Sequence, residues 1–364
     1  MSSLEQAATA EASGPAERLA LSPSLRGSEY ADLSRRVRQA GLLDRRPAYY
    51  LVKIAATTAM LAAGWAAFFL VGDSWWQVAV AVCLAFAFTQ VAFLGHDAGH
   101  RQVLRTRRGN GLLGLALGNV LIGLSFGWWV GKHNRHHSHP NELDVDPDIT
   151  IGAIAFTAEQ ASSKRGFTRL IVRYQAYLFF PLLLLEAVHL HAASVRAVVR
   201  GTVKLHSVEA LLLLAHGVGY LAGVLLVLSP LRAAVFLVVQ QGLFGLYLGC
   251  AFAPNHKGMP VLKAGEEPGF LRRQVLTSRN VRGGRLTDFA LGGLNYQIEH
   301  HLFPSMPRPS LRRSQALVRE FCAERRLPYS ESGMLGSYAE ALRHLHQVGT
   351  ALRRPLRPAG AGTR

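Results

Sequence analysis

Eight histidines fall into closely spaced groups along the chain. Three groups are the strings HDAGH, HNRHH and QIEHH, and one further histidine follows an asparagine between the second and third strings. Spacings of three and four residues place side chains on the same face of a helix, so each group could direct two or three imidazoles at one point. The pattern predicts a metal centre. Its expected ligands are His96, His100, His133, His136, His137, His256, His300 and His301.

The number and type of these ligands indicate which metals the centre would hold. Imidazole nitrogen suits iron, zinc and copper, whereas magnesium and calcium prefer oxygen ligands. Eight nitrogen donors exceed the four that one tetrahedral zinc uses, so we expect two metals with about four protein ligands each. Zinc cannot change its oxidation state, and we therefore expect oxygen chemistry on iron.

Polar residues inside or just after the histidine strings are expected to support the ligands. Asp97 and Glu299 lie within the first and third strings, and three aspartates follow the second at positions 144, 146 and 148. We expect carboxylates there to accept N–H bonds from coordinated rings, with one of the three aspartates doing so. Gln297 precedes His300 by three residues, and it is expected either to ligate through its carbonyl oxygen or to hold a water molecule.

The chain also contains six long apolar runs. Each is about as long as the roughly 20 residues that a helix needs to cross the hydrocarbon layer of a membrane. The runs are Tyr50–Leu70, Trp75–Gly95, Leu112–Gly131, Tyr174–Ala193, Ser207–Leu228 and Leu231–Ala253. The chain is therefore predicted to be an all-α integral membrane protein.

The histidine strings limit how many of these runs can cross. If the N-terminus is cytoplasmic, the first two runs go out and back, and HDAGH emerges on the cytoplasmic side. HNRHH lies on that side only if the run at 112–131 is re-entrant or interfacial. By the same count the run at 174–193 does not cross, since it carries a proline, a glutamate and two histidines, and charged groups in a span are costly. The prediction is four transmembrane helices with re-entrant or interfacial helices between them, and all histidine groups on the cytoplasmic face.

Charge and cysteine content exclude other classes. The net charge is +17, but the basic residues flank the apolar runs, as expected of cytoplasmic loops that face anionic lipid headgroups and not of a nucleic-acid-binding protein. Three cysteines without a CxxC pattern support neither a disulfide framework nor a thiolate zinc site or iron–sulfur cluster. The polar N-terminus lacks the layout of a signal peptide. We predict a disordered segment at 1–27, one membrane domain at 28–350 and a mobile basic tail at 351–364.

The strings HDAGH, HNRHHSHP and NYQIEHHLFP resemble the three histidine boxes of the membrane fatty acid desaturase family, HxxxH, HxxHH and QxxHH. The fragment NHKGMP at 255–260 resembles the segment that supplies one further ligand. The resemblance extends from about residue 43 to about residue 348, and it is closest to the acyl-CoA and acyl-lipid desaturases of actinobacteria.

This resemblance implies a di-iron enzyme that removes two hydrogens from a saturated acyl chain, with dioxygen and two electrons. The eight histidines correspond to the family's metal ligands, and Asn255 to a residue that contacts one metal through water. The substrate would be an acyl lipid or acyl-CoA, and the fold four transmembrane helices with a cytoplasmic cap. The histidine boxes would lie on the cytoplasmic face of a bacterial cell membrane.

This chain differs from some members of the family in its third histidine box. Members with HxxHH there have a ninth histidine where this chain has Gln297, and glutamine resembles the front-end desaturases, which insert a double bond between an existing one and the carboxyl end. Many of those carry a fused cytochrome domain with an HPGG haem motif, which does not occur here. We therefore expect electrons to come from a separate ferredoxin or flavin reductase.

Three alternatives remain from the sequence. A hydroxylase or ketolase could use the same site on another apolar lipid. A membrane metal transporter or sensor would bind metal transiently, but it would carry histidines inside the spans and along a pathway. A hydrolase with two zinc ions would work without oxygen. Metal analysis and product analysis distinguish these alternatives.

Overall fold

The computed structural model describes residues 23–150, 152–263, 265–266 and 268–353 of the chain. Within them the fold is almost wholly helical, which confirms the predicted class, and one short parallel pair joins strands β1 (Asn280–Arg282) and β2 (Glu331–Gly333). The helices in chain order are α1 (Pro23–Gln39), α2 (Pro47–Val71), α3 (Gln77–Gly99), α4 (Arg107–Leu115), α5 (Phe126–Ser138), α6 (Ala158–Ser163), α7 (Gly166–Arg173), α8 (Gln175–Leu183), α9 (Glu186–Val199), α10 (His206–Val227), α11 (Pro230–His256), α12 (Phe270–Leu276), α13 (Arg285–Ala290), α14 (Gln297–Leu302), α15 (Arg308–Glu324) and α16 (Met334–Thr350). A π-helical segment, Ala116–Leu121, continues α4.

Four helices are long and apolar enough to cross a membrane. Helices α2, α3, α10 and α11 contain 25, 23, 22 and 27 residues, and their most apolar windows have mean hydropathies of 1.9, 2.2, 2.2 and 1.7. At 1.5 Å per residue, the shortest is about 33 Å long, which exceeds the hydrocarbon layer of about 30 Å. These helices correspond to the four predicted spans, and the chain is an integral membrane protein.

Two of the six apolar runs form bent helix pairs. Helix α4 with its π-helical segment meets α5 at 114°, and α8 meets α9 at 69°. A bend of more than 90° turns the second helix back along the first, as a re-entrant segment requires. The first bend contains Gly123 at φ +68°, a conformation that favours glycine, and α8 contains Pro181. The bent pairs coincide with the two runs that were predicted not to cross.

Helix α3 lies at the centre of the helix bundle. It packs against α2 on one side and α11 on another, and 67% of its apolar window is buried, compared with 6% for α10. Large side chains such as Phe88 and Leu94 are completely enclosed in this core. The first histidine string is therefore carried at the end of the most enclosed membrane helix.

The junction of α8 and α9 packs directly on α11 at Gly245. A Cβ atom there would lie 2.6 Å from the amide nitrogen of Ala187 and 2.8 Å from the carbonyl oxygen of Leu183. Because both contacts are with backbone, no side-chain rotation relieves them. We expect Gly245→Ala to destabilise the protein by about 1–3 kcal/mol, measured by thermal unfolding in detergent. The matched change Gly242→Ala meets its nearest atom at 3.6 Å and is expected to have little effect; equal unfolding midpoints for both variants would contradict this packing.

The cap is built from the two ends of the described chain. Leu33, Val37 and Leu42 are buried in one cluster with Leu302 of α14 and Phe321 of α15. The cap thus fixes the third histidine string against the N-terminal helix.

The predicted domain limits can be compared with the described residues. Helix α1 begins at Pro23, ahead of the predicted start of the folded domain at residue 28, and α16 ends at Thr350. The predictions for residues 1–22 and 354–364 fall outside the described residues.

Candidate metal centre

The structure brings all eight predicted histidines together at the C-terminal ends of α3, α5 and α11 and on α14. They form two groups whose nitrogens lie within 4.8 Å of one another. The first histidine group contains His96, His100, His133, His137 and His300. The second histidine group contains His136, His256 and His301.

Helix geometry explains how each string is divided between the groups. Successive residues of a helix point about 100° apart, whereas residues four apart share a face. On α5, His133 and His137 are four apart and enter the first group, while His136 enters the second. On α14, the adjacent His300 and His301 diverge and serve one group each.

In the second group the three rings converge through their Nε2 atoms. His256 Nε2 lies 3.3 Å from His136 Nε2 and 3.0 Å from His301 Nε2. Their Nδ1 atoms point outward to acceptors: His256 to the Thr277 carbonyl oxygen at 2.9 Å, and His301 to Gln274 Oε1 at 2.9 Å. A carbonyl oxygen can only accept, so the Nδ1 atoms donate and the Nε2 lone pairs face one another.

Several buried nitrogens of the first group have no hydrogen-bond partner in the part of the chain that the structure describes. These include Nε2 of His96, Nε2 of His100 and both ring nitrogens of His300, while His133 Nε2 and His137 Nε2 lie 3.1 Å apart. Buried polar atoms in proteins almost always have a hydrogen-bond partner, and leaving one without is costly. Converging lone pairs of neutral rings repel one another unless a cation lies between them. The donor set in both groups therefore fits metal ions.

Burial favours the protonation state that binds metal. It lowers the pKa of several rings well below the usual value for histidine, and the neighbouring imidazoles lower it further; these rings are His100, His133, His137, His300 and His301. A lowered pKa keeps an imidazole neutral at neutral pH. Neutral imidazole is the form that coordinates metals.

One of the three candidate aspartates meets a histidine of the centre closely. Both carboxylate oxygens of Asp146 lie 3.0 Å from His136 Nδ1, and Asp146 Oδ2 also accepts a hydrogen bond from the backbone amide of Asn141. Burial would raise the pKa of the Asp146 carboxyl, but the hydrogen bond with His136 holds that pKa below its usual value. Asp148 lies farther away, with its Oδ2 at 3.5 Å from His136 Nδ1. Asp146 is thus the aspartate that orients His136.

Three of the residues predicted to support the ligands lie beside them. Asp97 Oδ1 is 3.4 Å from His96 Nδ1. The amide nitrogen of Gln297 lies 2.9 Å from His256 Nε2, and Gln297 Oε1 accepts from Asn255 Nδ2 at 3.2 Å. Both amides are buried at the second group, and Asn255 Oδ1 has no partner.

Glu299 differs from its expected role. Its carboxylate accepts from Asn280 Nδ2 and from the Tyr329 hydroxyl, each at 2.7 Å, instead of from an imidazole. On α14 it precedes His300 by about 100° of rotation and therefore faces β1 and the cap. Glu299 thus attaches the third string to Asn280 and Tyr329, on the side of α14 that faces away from the histidine groups.

Sequence reasoning missed Gln274 and the Thr277 carbonyl, which orient two rings of the second group. Neither lies in a histidine string: both belong to the region of α12, which folds back on the centre. In the string FLRRQVL, Gln274 follows two arginines and nothing distinguishes it from a surface residue, and a backbone acceptor leaves no sign in the sequence.

Comparison with known proteins gives consistent matches. The family model described as Fatty acid desaturase matches residues 73–333. The chain is 33% identical over 314 residues to an acyl-lipid (9-3)-desaturase of Physcomitrium patens, and 33% identical over 334 residues to a Delta(6)-fatty-acid desaturase of Caenorhabditis elegans. It is 28% identical over 343 residues to a Delta 8-(E)-sphingolipid desaturase of Kluyveromyces lactis.

These alignments cover most of this chain but less of its relatives. The alignment with the Physcomitrium patens protein covers 83% of this chain and 59% of that relative. The Caenorhabditis elegans alignment covers 88% and 74%, and the Kluyveromyces lactis alignment covers 88% and 59%. All three relatives are eukaryotic, so the expected closeness to actinobacterial desaturases stays a prediction.

Proposed function

This chain belongs to the fatty acid desaturase family, and from that premise we propose that it inserts a carbon–carbon double bond into a long-chain acyl substrate. The observation that carries the proposal is the convergence of eight buried histidines into two groups, each with ring nitrogens aimed at a common point. The relatives' names as lipid desaturases and the apolar helices above the centre both favour a lipid substrate.

We propose two iron ions as the metals and the eight histidines as their ligands. Five and three nitrogens in adjacent groups suit two metals better than one, and imidazole suits iron. Bound iron would supply the redox chemistry by which dioxygen, two electrons and two protons become two waters while two hydrogens leave adjacent carbons of the acyl chain.

The chain's own residues hold and shield this centre. The Trp129 ring stacks on His133 with 4.5 Å between ring centroids, and it also contacts His96. Gly99 makes room for the indole, since a Cβ there would lie 2.6 Å from Trp129 Cζ3. The indole covers the first group with apolar surface, which excludes water from the place where an acyl chain would react.

The position of the new bond is proposed from Gln297 and from the relatives. Gln297 occupies the first position of the third box, as in front-end desaturases, and its amide lies beside His256. Relatives are named for bonds at Delta(5), Delta(6) and Delta(8). We propose a bond on the carboxyl side of an existing one.

Electrons are proposed to come from a separate ferredoxin or flavin reductase. The loop after the first string carries Arg101, Arg105, Arg107 and Arg108, all exposed. Basic surface favours encounter with an acidic redox protein. With the histidine side cytoplasmic in a bacterial cell membrane, that partner would be a soluble cytoplasmic protein. Activity that persists in the purified protein without any redox protein would contradict this assignment.

The test of the function is expression in a host with a simple lipid profile, followed by mapping of double-bond positions in total acyl lipids. We expect a new unsaturated product that requires oxygen, and about two irons in each purified chain. A hydroxylated or keto product would support the oxygenase alternative instead. Stable zinc with activity in the absence of oxygen would overturn the proposal.

Asp146 provides a prediction about the ligand shell. Asp146→Asn replaces an acceptor of two equivalent oxygens with an amide that can also donate, and so it weakens control over the His136 ring. Changes of this kind typically lower metal affinity by about 10–100-fold. We expect faster loss of metal to a chelator, followed by metal analysis. Asp144→Asn, on the exposed part of the same loop, is the control and should retain metal like the wild type.

A further inference from the structure

A carboxylate lies buried at the bend between α4 and α5. Glu209 is in the first turn of the membrane helix α10, and it is 1% exposed. Burial of a carboxylate is costly unless hydrogen bonds or charges compensate, and ionisable residues at membrane helices are functional candidates for that reason. Nothing in the proposed reaction uses this group.

Three donors from the bend satisfy the carboxylate. Glu209 Oε2 accepts from the Ser125 hydroxyl at 2.6 Å and from Asn119 Nδ2 at 3.0 Å. The Gly127 amide approaches both oxygens, at 3.2 and 3.3 Å. Every donor belongs to the segment that precedes or begins α5, so this one side chain ties that segment to α10.

The same donors form the N-terminus of α5. Ser125 is its N-cap, and its hydroxyl also accepts from the Trp128 amide at 3.2 Å. Asn119 Oδ1 accepts from the Phe126 amide at 3.0 Å. The first amides of a helix have no partners within the helix, and a negative charge near them is favourable. The carboxylate therefore completes the cap of the helix that carries HNRHH.

Close packing at Gly127 indicates that the contact is specific. A Cβ atom at this position would lie 2.4 Å from Glu209 Oε1 and 2.5 Å from Val203 Cγ1. A side chain at position 127 would therefore displace the Glu209 carboxylate or the Val203 side chain from the helix end. At Gly131, one turn farther along α5, a Cβ atom would meet no atom of the described residues within 4 Å.

We propose that Glu209 is a positioning residue, whose carboxylate fixes the start of α5 and thereby aims His133, His136 and His137 at the two histidine groups. The three histidines begin six residues after Gly127, about 9 Å along a rigid helix. A shift or rotation of the helix start is therefore carried directly to the rings. The activity arm of the test rests on the proposed function, whereas the structural arm does not.

The test compares full-length variants in detergent by hydrogen exchange and by kinetics. In Glu209→Gln, an NH2 group replaces one carboxylate oxygen. That NH2 group is a hydrogen-bond donor, and it faces the Ser125 hydroxyl or the Gly127 amide, which are donors too. We expect amides at 125–131 to exchange at least about tenfold faster, as for loss of a hydrogen bond to a charged group. Amides of α3 should be unchanged. We expect kcat to fall about 100-fold with KM unchanged, because a displacement of about 1 Å costs that much.

Two further variants separate positioning from general stability. Gly127→Ala should reproduce both effects, and Gly131→Ala should reproduce neither. Combining Glu209→Gln with Asn119→Asp returns a carboxylate to the same hydrogen-bonded pair, and it should recover part of kcat.

Three outcomes would overturn the proposal. These are wild-type exchange at 125–131 in Glu209→Gln, uniformly faster exchange in α2, α3 and α11, and no difference between the two glycine variants. If the wild type forms no desaturated product, the proposed function fails, but the exchange data still decide the role of Glu209.

Discussion

Replacement of His300 by alanine is expected to abolish the unsaturated product and to lower the metal content of the purified protein. His300 packs against other rings of the first histidine group: its ring centroid is 4.7 Å from that of His96, 4.8 Å from that of His100, 4.7 Å from that of His137 and 6.4 Å from that of His133. It is 1% exposed, and neither of its ring nitrogens has a hydrogen-bond partner among the residues that the structure describes. The ring loses packing but no hydrogen bond when it is removed, so a loss of metal in a variant that still folds reports on its role as a ligand.

The size of the loss follows from the ligand role. Removal of groups that merely orient a ligand costs about 10–100-fold in metal affinity or activity, and removal of a ligand itself is expected to cost more. Product is measured by mass spectrometry of total acyl lipids, and metal by elemental analysis of the purified chain. Unaltered thermal unfolding of the variant would show that the fold survives.

His139 is the matched control for this experiment. It lies two residues after the second box, but its side chain is 40% exposed and its Nδ1 contacts Glu142 Oε2 at 2.8 Å. His139→Gln should retain product and metal. Equal loss in both variants would contradict the assignment of His300 to the centre, as would unchanged product from His300→Ala.

Much of the centre could be predicted because its information is local. Spacing within a string determines which side chains share a helix face, and this is how His96 with His100, and His133 with His137, could be paired from sequence. The split into five and three differs from the expected four and four. Its cause is the position of each helix relative to the others, since His256 reaches the second group from the end of α11.

The acceptors that orient the rings could not be predicted in the same way. The sequence indicated that one of three aspartates would orient a ring, but not that it would be Asp146. The loop after α5 is irregular, and its turns decide which carboxylate faces His136. Gln274 and the Thr277 carbonyl belong to a distant segment, and no local pattern encodes contacts made by chain reversal.

The membrane part of the fold was more predictable than the cap. Apolar length predicted the four spans, and the requirement that the histidines share one face predicted that the runs at 112–131 and 174–193 do not cross. The structure shows each of these two runs as a bent helix pair. The hydrogen bonds of the first bend were not foreseen. Glu209 had no expected role, since a single acidic residue near the start of an apolar run resembles an ordinary helix end.

A buried ion pair links the first histidine string to the segment after the third. Arg308 Nη2 lies 2.7 Å from Asp97 Oδ2, and both side chains are less than a tenth exposed. Arg308 also donates to the Phe93 carbonyl oxygen at 2.8 Å, so the guanidinium joins α15 to the end of α3. Burial alone would lower the pKa of Arg308, but the Asp97 charge raises it above its usual value. The arginine therefore remains charged and paired.

Arg308→Ala is expected to destabilise the protein by about 3–5 kcal/mol, because it leaves the Asp97 carboxylate buried without its partner. Asp97 is 3.4 Å from His96 Nδ1, so the unpaired charge also disturbs a ring of the first group. Thermal unfolding in detergent measures the loss, and metal analysis of the folded fraction measures the effect on the centre. The control is Arg312→Ala, whose pair with Asp288 at 2.7 Å is 42% exposed on the arginine side and should contribute at most about 1 kcal/mol. Similar midpoints for the two variants would show that the buried pair does not hold α3 to α15.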